Sequence, residues 1–98
     1  MDDDTAWIAL TQQLKVGDIV EGTVIAHRDF GIFVDLGFRF HGLIRIVDFK
    51  DTGRMTPAEY PAVGQHIKAV VIWLQENHPQ RRGIILGVKP SHFNNREA

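Results

Sequence analysis

The sequence contains no cysteine, which excludes disulfides and thiolate metal sites and leaves the redox compartment unread. Long apolar runs are missing as well. The longest, Ala69 to Leu74, is far too short to span a membrane, so no membrane association is expected. The start of the chain lacks cations: Asp2, Asp3 and Asp4 stand where a secretory signal would need basic residues, and a cytoplasmic location is expected. An excess of either charge is lacking too, with 11 Lys and Arg against 12 Asp and Glu and a formal net charge of −1. Such a balance does not by itself announce a nucleic-acid binder. Catalytic signatures are equally scarce. The histidines His27, His41, His66, His78 and His92 show no metal-ligand spacing. There is no Gly-x-Ser-x-Gly, no phosphate-cradling loop and no close carboxylate pair on a recognisable scaffold. Neither enzymatic activity nor a metal or other cofactor is expected.

What is present is one small domain's worth of chain, 98 residues of ordinary globular composition. Its charge is unevenly spread. All 11 basic residues lie between Lys15 and Arg96, a span holding only eight acids and hence a balance of +3, while the other acids sit at the two termini. A mildly basic body permits a phosphate-binding face without demanding one.

The stretch Asp29-Phe30-Gly31-Ile32-Phe33-Val34-Asp35-Leu36 organises the rest. It is rich in β-branched and aromatic residues. Past the glycine it alternates, with Ile32, Val34 and Leu36 on one face and Phe33 and Asp35 on the other. Phe30 has the wrong parity to join Phe33, and a bulge at Gly31 would bring it round. Two rings on an open sheet face form a stacking platform for bases; the alternative is that one or both fill the rim of a core. Asp35 reads as a solvated residue of the wet face rather than a general base.

Along the chain, residues 5–14 carry Trp7, Leu10 and Leu14 at helical spacing, with Ile8 alongside, and predict a short helix packed on the body. Val16-Gly17-Asp18 turns into a strand from Ile19 to His27, whose Gly22 suggests a sharp bend and whose Val20, Gly22, Val24 and Ala26 share a face. A third strand runs from Leu43 to Ile46, a long irregular connection from Val47 to Gly64, a fourth strand from Ile67 to Leu74 and a fifth from Ile84 to Lys89. A single helical turn is expected near Ala58 to Ala62. The fourth and fifth strands are joined by a polar loop holding Arg81 and Arg82. The domain proper thus covers residues 15–90, preceded by an acidic helical segment over 1–14 and followed by a poorly ordered tail over 91–98. Five short strands with a long third-to-fourth connection predict an all-β, antiparallel Greek-key barrel of the oligonucleotide-binding (OB) kind with a short N-terminal helix; an open sandwich is the alternative.

The order and spacing of Leu14-Lys15-Val16-Gly17-Asp18, Glu21-Gly22-Thr23-Val24, Asp29-Phe30-Gly31-Ile32-Phe33-Val34-Asp35, Gly42-Leu43-Ile44, Val63-Gly64-Gln65 and Ile85-Leu86-Gly87-Val88-Lys89 resemble the S-one RNA-binding domain family. The resemblance implies a five-stranded barrel that binds single-stranded RNA on the face of its second and third strands, with Phe30 and Phe33 as the stacking rings. Where the family often has a histidine on the third strand this chain has Arg45, which can stack on a base and pair with phosphate. Val47 replaces a common serine and Gln75 a common acid, while Arg81 and Arg82 keep and double a basic residue before the fifth strand. Trp73 stands where a charged residue is usual and His27 where an aliphatic one is. Arg28, Arg81 and Arg82 lie on loops that border the ligand groove in this fold. For Trp73 burial in the core is the expectation, against an extra stacking ring or a protein contact. The function expected is single-stranded RNA binding by stacking and phosphate contacts, in translation or RNA metabolism, with the ribosome or an RNA-processing protein as a further partner. The rival is a protein-interaction module on a reassigned barrel surface.

Overall fold

The computed structural model describes residues 3–53, 55–76 and 83–94. Its elements are α1 (Asp3–Gln13), β1 (Ile19–Arg28), β2 (Gly31–Asp35), β3 (Gly42–Arg45), β4 (His66–Gln75), β5 (Gly83–Gly87) and α2 (Pro90–Asn94), with 3₁₀ turns at Ile46–Asp48 and Pro57–Glu59. The strands close a barrel in the order β1-β2-β3-β5-β4. Four seams are antiparallel, and β3 and β5 close the barrel as a parallel pair. This is the OB architecture: closure removes the free sheet edges that five short strands would otherwise leave.

Alternation in the strands sends Val24, Ile32, Val34, Ile44, Val71, Ile84 and Leu86 fully inside. Each such side chain contributes about 1.5–3 kcal/mol by leaving water, and together they form the core of the barrel. One end is closed by α1. Its Trp7 and Leu10, followed by Leu14, join the core cluster, while Ile8 points away and stays exposed. The Trp7 ring meets Phe40 edge-on at 5.0 Å, and its Nε1–H donates to Glu76 Oε2 at 2.6 Å. The helix starts two residues before Thr5, where acidic residues suit the positive end of the helix dipole.

At the other end, the connection after β3 folds back over the β1–β2 turn. Tyr60 is buried there, stacked on Phe49 at 5.5 Å and edge-on to His27 at 5.3 Å. Its hydroxyl donates to the Asp29 carbonyl, and His27 Nε2 bonds the Pro61 carbonyl. His27 thus stays exposed at the rim of the barrel and finds a polar partner there, which accounts for a histidine at this position.

Three expectations change. The bulge falls in β1, between Val24 and Ala26, and not at Gly31. Val24 lies opposite Val34, and its own N–H and carbonyl bond the Gln65 and Gly64 backbone, so Ile25 takes up the extra residue and Ala26 is turned to the outer face opposite Phe33. Trp73 is not core: a second bulge, between Val71 and Trp73, turns it outward opposite Ile85, and it is 42% exposed. The residues from Ser91 to Asn94 are helical rather than an unstructured tail, because Ser91 donates to the Asp51 carboxylate through both its backbone N–H and its hydroxyl.

Candidate nucleic-acid interface

The outer face of β1, β2 and β3 carries the predicted rings. In register, Arg28 pairs with Gly31 and Gly31 with Arg45, while Ala26 pairs with Phe33 and Phe33 with Leu43. Directly opposed residues share a face, so Arg28, Phe33 and Arg45 project to the same side. Phe30 occupies the turn just before β2 and is 52% exposed; Phe33 is half-buried. The rings lie 6.0 Å apart at 83°. They come together without a bulge at Gly31, because the β1–β2 turn itself swings Phe30 over the sheet. Gly31 is required there: a Cβ would stand 2.2 Å from the Ile44 carbonyl oxygen, a separation no side-chain carbon tolerates.

Arg28 reaches diagonally across the pair, two residues from its opposite number, and puts its guanidinium 5.7 Å from the Phe33 ring centroid. Its Nη1 donates to the His27 carbonyl at 2.8 Å, which holds the cation over the ring. Arg45 is anchored differently. Its Nε donates to Asp48 Oδ2 at 2.6 Å, and Asp48 is buried at 4% exposure while the arginine side chain keeps 41%. The Ile46 N–H donates to the Phe30 carbonyl at 2.7 Å, which ties the turn after β3 to the turn that presents Phe30. Beneath them Tyr60 has its hydroxyl pKa raised, first by burial and then by the Asp29 charge. Asp35 accepts from the Gly37 N–H at 2.9 Å and serves the β2 exit turn.

Four of the six predicted site residues are therefore gathered on one face: Phe30, Phe33, Arg28 and Arg45. Arg81 and Arg82 lie outside the described residues. Sequence reasoning missed Asp48, left inside an irregular connection. The signal was the Arg45–Asp48 spacing of three at the close of a strand, which a 3₁₀ turn brings onto one side. Among the described residues no group of three or more His, Asp or Glu side chains could hold a metal, and no helix is long and apolar enough to cross a membrane.

Comparison with known proteins identifies the family and supports the fold. The family profile described as "S1 RNA binding domain" matches residues 13–89. The chain is 36% identical over 80 residues to small ribosomal subunit protein bS1 of Rhodopseudomonas palustris, covering 82% of this chain and 14% of that protein. It is 34% identical over 71 residues to the bS1 homolog of Bacillus subtilis, covering 72% of this chain and 19% of the relative. A 30% match over 88 residues to 4-hydroxy-3-methylbut-2-enyl diphosphate reductase of Fusobacterium nucleatum takes in only 10% of that enzyme. The chain thus spans a small fraction of the curated relatives it matches. Among solved structures, GSP13 from Bacillus subtilis superposes with a TM-score of 0.66 at 22% identity, over 87% of this chain and 60% of that one. A chain of the a/eIF2alpha-aDim2p-rRNA complex from Pyrococcus horikoshii does so with 0.65 at 21%, over 85% and 50%. Those two show the shared fold. Five strands closed as an OB barrel, two rings on its outer face and a family match running from Gln13 to Lys89 lead to one conclusion: this chain belongs to the S1 RNA binding domain family.

Proposed function

We propose that the chain binds single-stranded RNA by stacking bases on Phe30 and Phe33, with Arg28 and Arg45 beside them, phosphate contacts from Arg81 and Arg82, and little readout of base identity. The observation that carries the reading is the ring pair itself: Phe30 half out of the surface, Phe33 next to it and the Arg28 cation over the second ring. An exposed phenylalanine costs solubility unless it meets a flat apolar partner, and every base offers one. The ribosomal relatives support a place in translation or RNA metabolism, with the ribosome or an RNA-processing protein as the further partner. The second reading, a protein-interaction surface, draws on the outward Trp73.

The test is Phe30→Ala combined with Phe33→Ala. Stacking is worth about 1–3 kcal/mol per base, so affinity for a single-stranded RNA should fall about tenfold or more while the amide spectrum stays dispersed. A double variant that unfolds would make the rings core and overturn the reading. A folded one that binds as the parent does would overturn it equally.

A further inference from the structure

Next to the ring pair lies an open cleft of about 430 Å³, lined by Ile46, Val47, Lys50, Gly53, Met55 and Lys89. Ile46 links it to that surface. Ile46 is the residue hydrogen-bonded to the Phe30 carbonyl, and Arg45 immediately precedes it. Its lining is chemically divided. Ile46, Val47 and Met55 supply apolar wall, Val47 with 63% of its surface exposed, and Gly53 contributes no side chain to obstruct it. The polar components are two ammonium groups. Lys50 is bound to Glu59 Oε1 at 2.6 Å; Lys89 makes no direct ion pair among the described residues, though its charge helps to lower the Asp51 pKa.

The walls are held from several sides. The Val88 N–H donates to the Asp48 carbonyl, Ser91 to the Asp51 carboxylate, and Glu59 caps the turn at Thr56. A cleft made of a folded-back connection and the exit of β5 is thus pinned to the barrel. An apolar trough of this size with cations at its edge suits a planar base with an attached phosphate. Among the described lining residues there is no strong side-chain hydrogen-bond acceptor, so the exocyclic amino groups of a base would go unread there.

We propose that this cleft is a further nucleotide subsite, which takes the nucleotide next to the bases stacked on Phe30 and Phe33, seats its base against Val47 and Met55 and its phosphate on Lys89. The proposal rests on the RNA-binding reading above and extends its track past Arg45. Continuity with the ring pair and the cationic rim argue for the same RNA strand as occupant rather than a protein segment.

The experiment measures affinity by fluorescence anisotropy for single-stranded oligouridylates from about two to about sixteen nucleotides, a range spanning the sites OB barrels cover. The variants are Val47→Asp, at an exposed position that tolerates it, Lys89→Gln, and Phe30→Ala with Phe33→Ala. Val47→Asp should lower affinity for the longest oligomers by about tenfold, through a lost apolar contact and an added negative charge beside the phosphate, and leave the shortest within about twofold, too small a change to count as a lost contact. Lys89→Gln should flatten the salt dependence for long oligomers by about 0.7 in log–log slope. The ring variant should weaken every length. If Val47→Asp and Lys89→Gln bind all lengths as the parent does while the ring variant loses affinity, the subsite is overturned and the ring platform stands. If the parent binds no length, both readings fall.

Discussion

Arg45 illustrates how one residue's use is set by its neighbour. A lone surface arginine is free to meet phosphate, but here a buried carboxylate, Asp48, holds the Nε at 2.6 Å. The pair leaves the guanidinium plane available for stacking while cancelling most of its charge. Asp48→Asn keeps the shape and releases the cation, so it should raise RNA affinity and steepen the log–log salt dependence by about 0.7, one added phosphate contact; isothermal titration at several salt concentrations checks it. The reverse change, Arg45→Gln, strands a buried carboxylate. Breaking a fully buried pair costs about 3–5 kcal/mol; with the arginine 41% exposed and water able to screen the residual charge, about 1–3 kcal/mol is expected in urea unfolding. The two tryptophans form a similar contrast. Trp7→Ala removes a buried ring and should destabilise by about 3–5 kcal/mol, whereas Trp73→Ala, at an outward site, should cost about 1 kcal/mol or less.

At the scale of elements, the long connection after β3 is held by its own hydrogen bonds rather than by strand pairing. A capping box at Thr56 and Glu59, the Lys50–Glu59 ion pair and the Asp51–Ser91 link fasten it to the body and to α2. Both carboxylates titrate below their ordinary values, Asp51 first because of its side-chain bond to Ser91 and Glu59 first because of its bond to Lys50. A depressed folded pKa means that the unfolded chain binds the proton more readily. The stabilisation is therefore complete above the ordinary values of 3.8 and 4.5 and is lost as pH falls through the lower folded ones. Acidification should loosen this connection and α2 before the barrel strands, seen as early movement of the Asp51 and Ser91 amide resonances. Ser91→Ala should bring the Asp51 carboxyl titration back up toward 3.8, and an unchanged Asp51 titration in that variant would show that the link does not form in solution.

For the whole molecule the formal charge of −1 conceals a pattern. Arg45 and Lys50 are spent on Asp48 and Glu59, and the proposed mode draws its phosphate contacts from Arg28, Lys89, Arg81 and Arg82. If about three phosphates are met, log affinity against log salt should fall with a slope of about −2. Replacing Arg81 and Arg82 together should flatten it by about one to one and a half units and weaken all sequences alike, since phosphate contacts carry no base information. A parent slope near zero would remove the electrostatic part of the proposal. Weak attraction of this size also means that useful affinity from one such barrel depends on a second module or partner acting with it.

Much of this was legible in the chain because it is written in local periodicity. Ile32, Val34 and Phe33 declare a two-faced strand, Trp7, Leu10 and Leu14 a helix stripe, and Gly31 between two phenylalanines a surface of rings; each depends only on near neighbours. Burial of the alternating set then forces five such strands to close on themselves, which is why the barrel could be anticipated. What tertiary structure alone decided is how distant segments meet. The β1 bulge that sends Ala26 outward depends on Gly64 and Gln65, some forty residues away, bonding Val24. The second bulge decides that Trp73 leaves the core, because a single extra residue reverses the face of everything beyond it. The 3₁₀ turn pairs Asp48 with Arg45 locally, but the cleft beside the pair comes into being only when the connection after β3 folds back against β5. Side-chain alternation is a property of one strand; register, bulges and clefts are properties of strands in pairs, settled by backbone hydrogen bonds that no stretch of sequence makes alone.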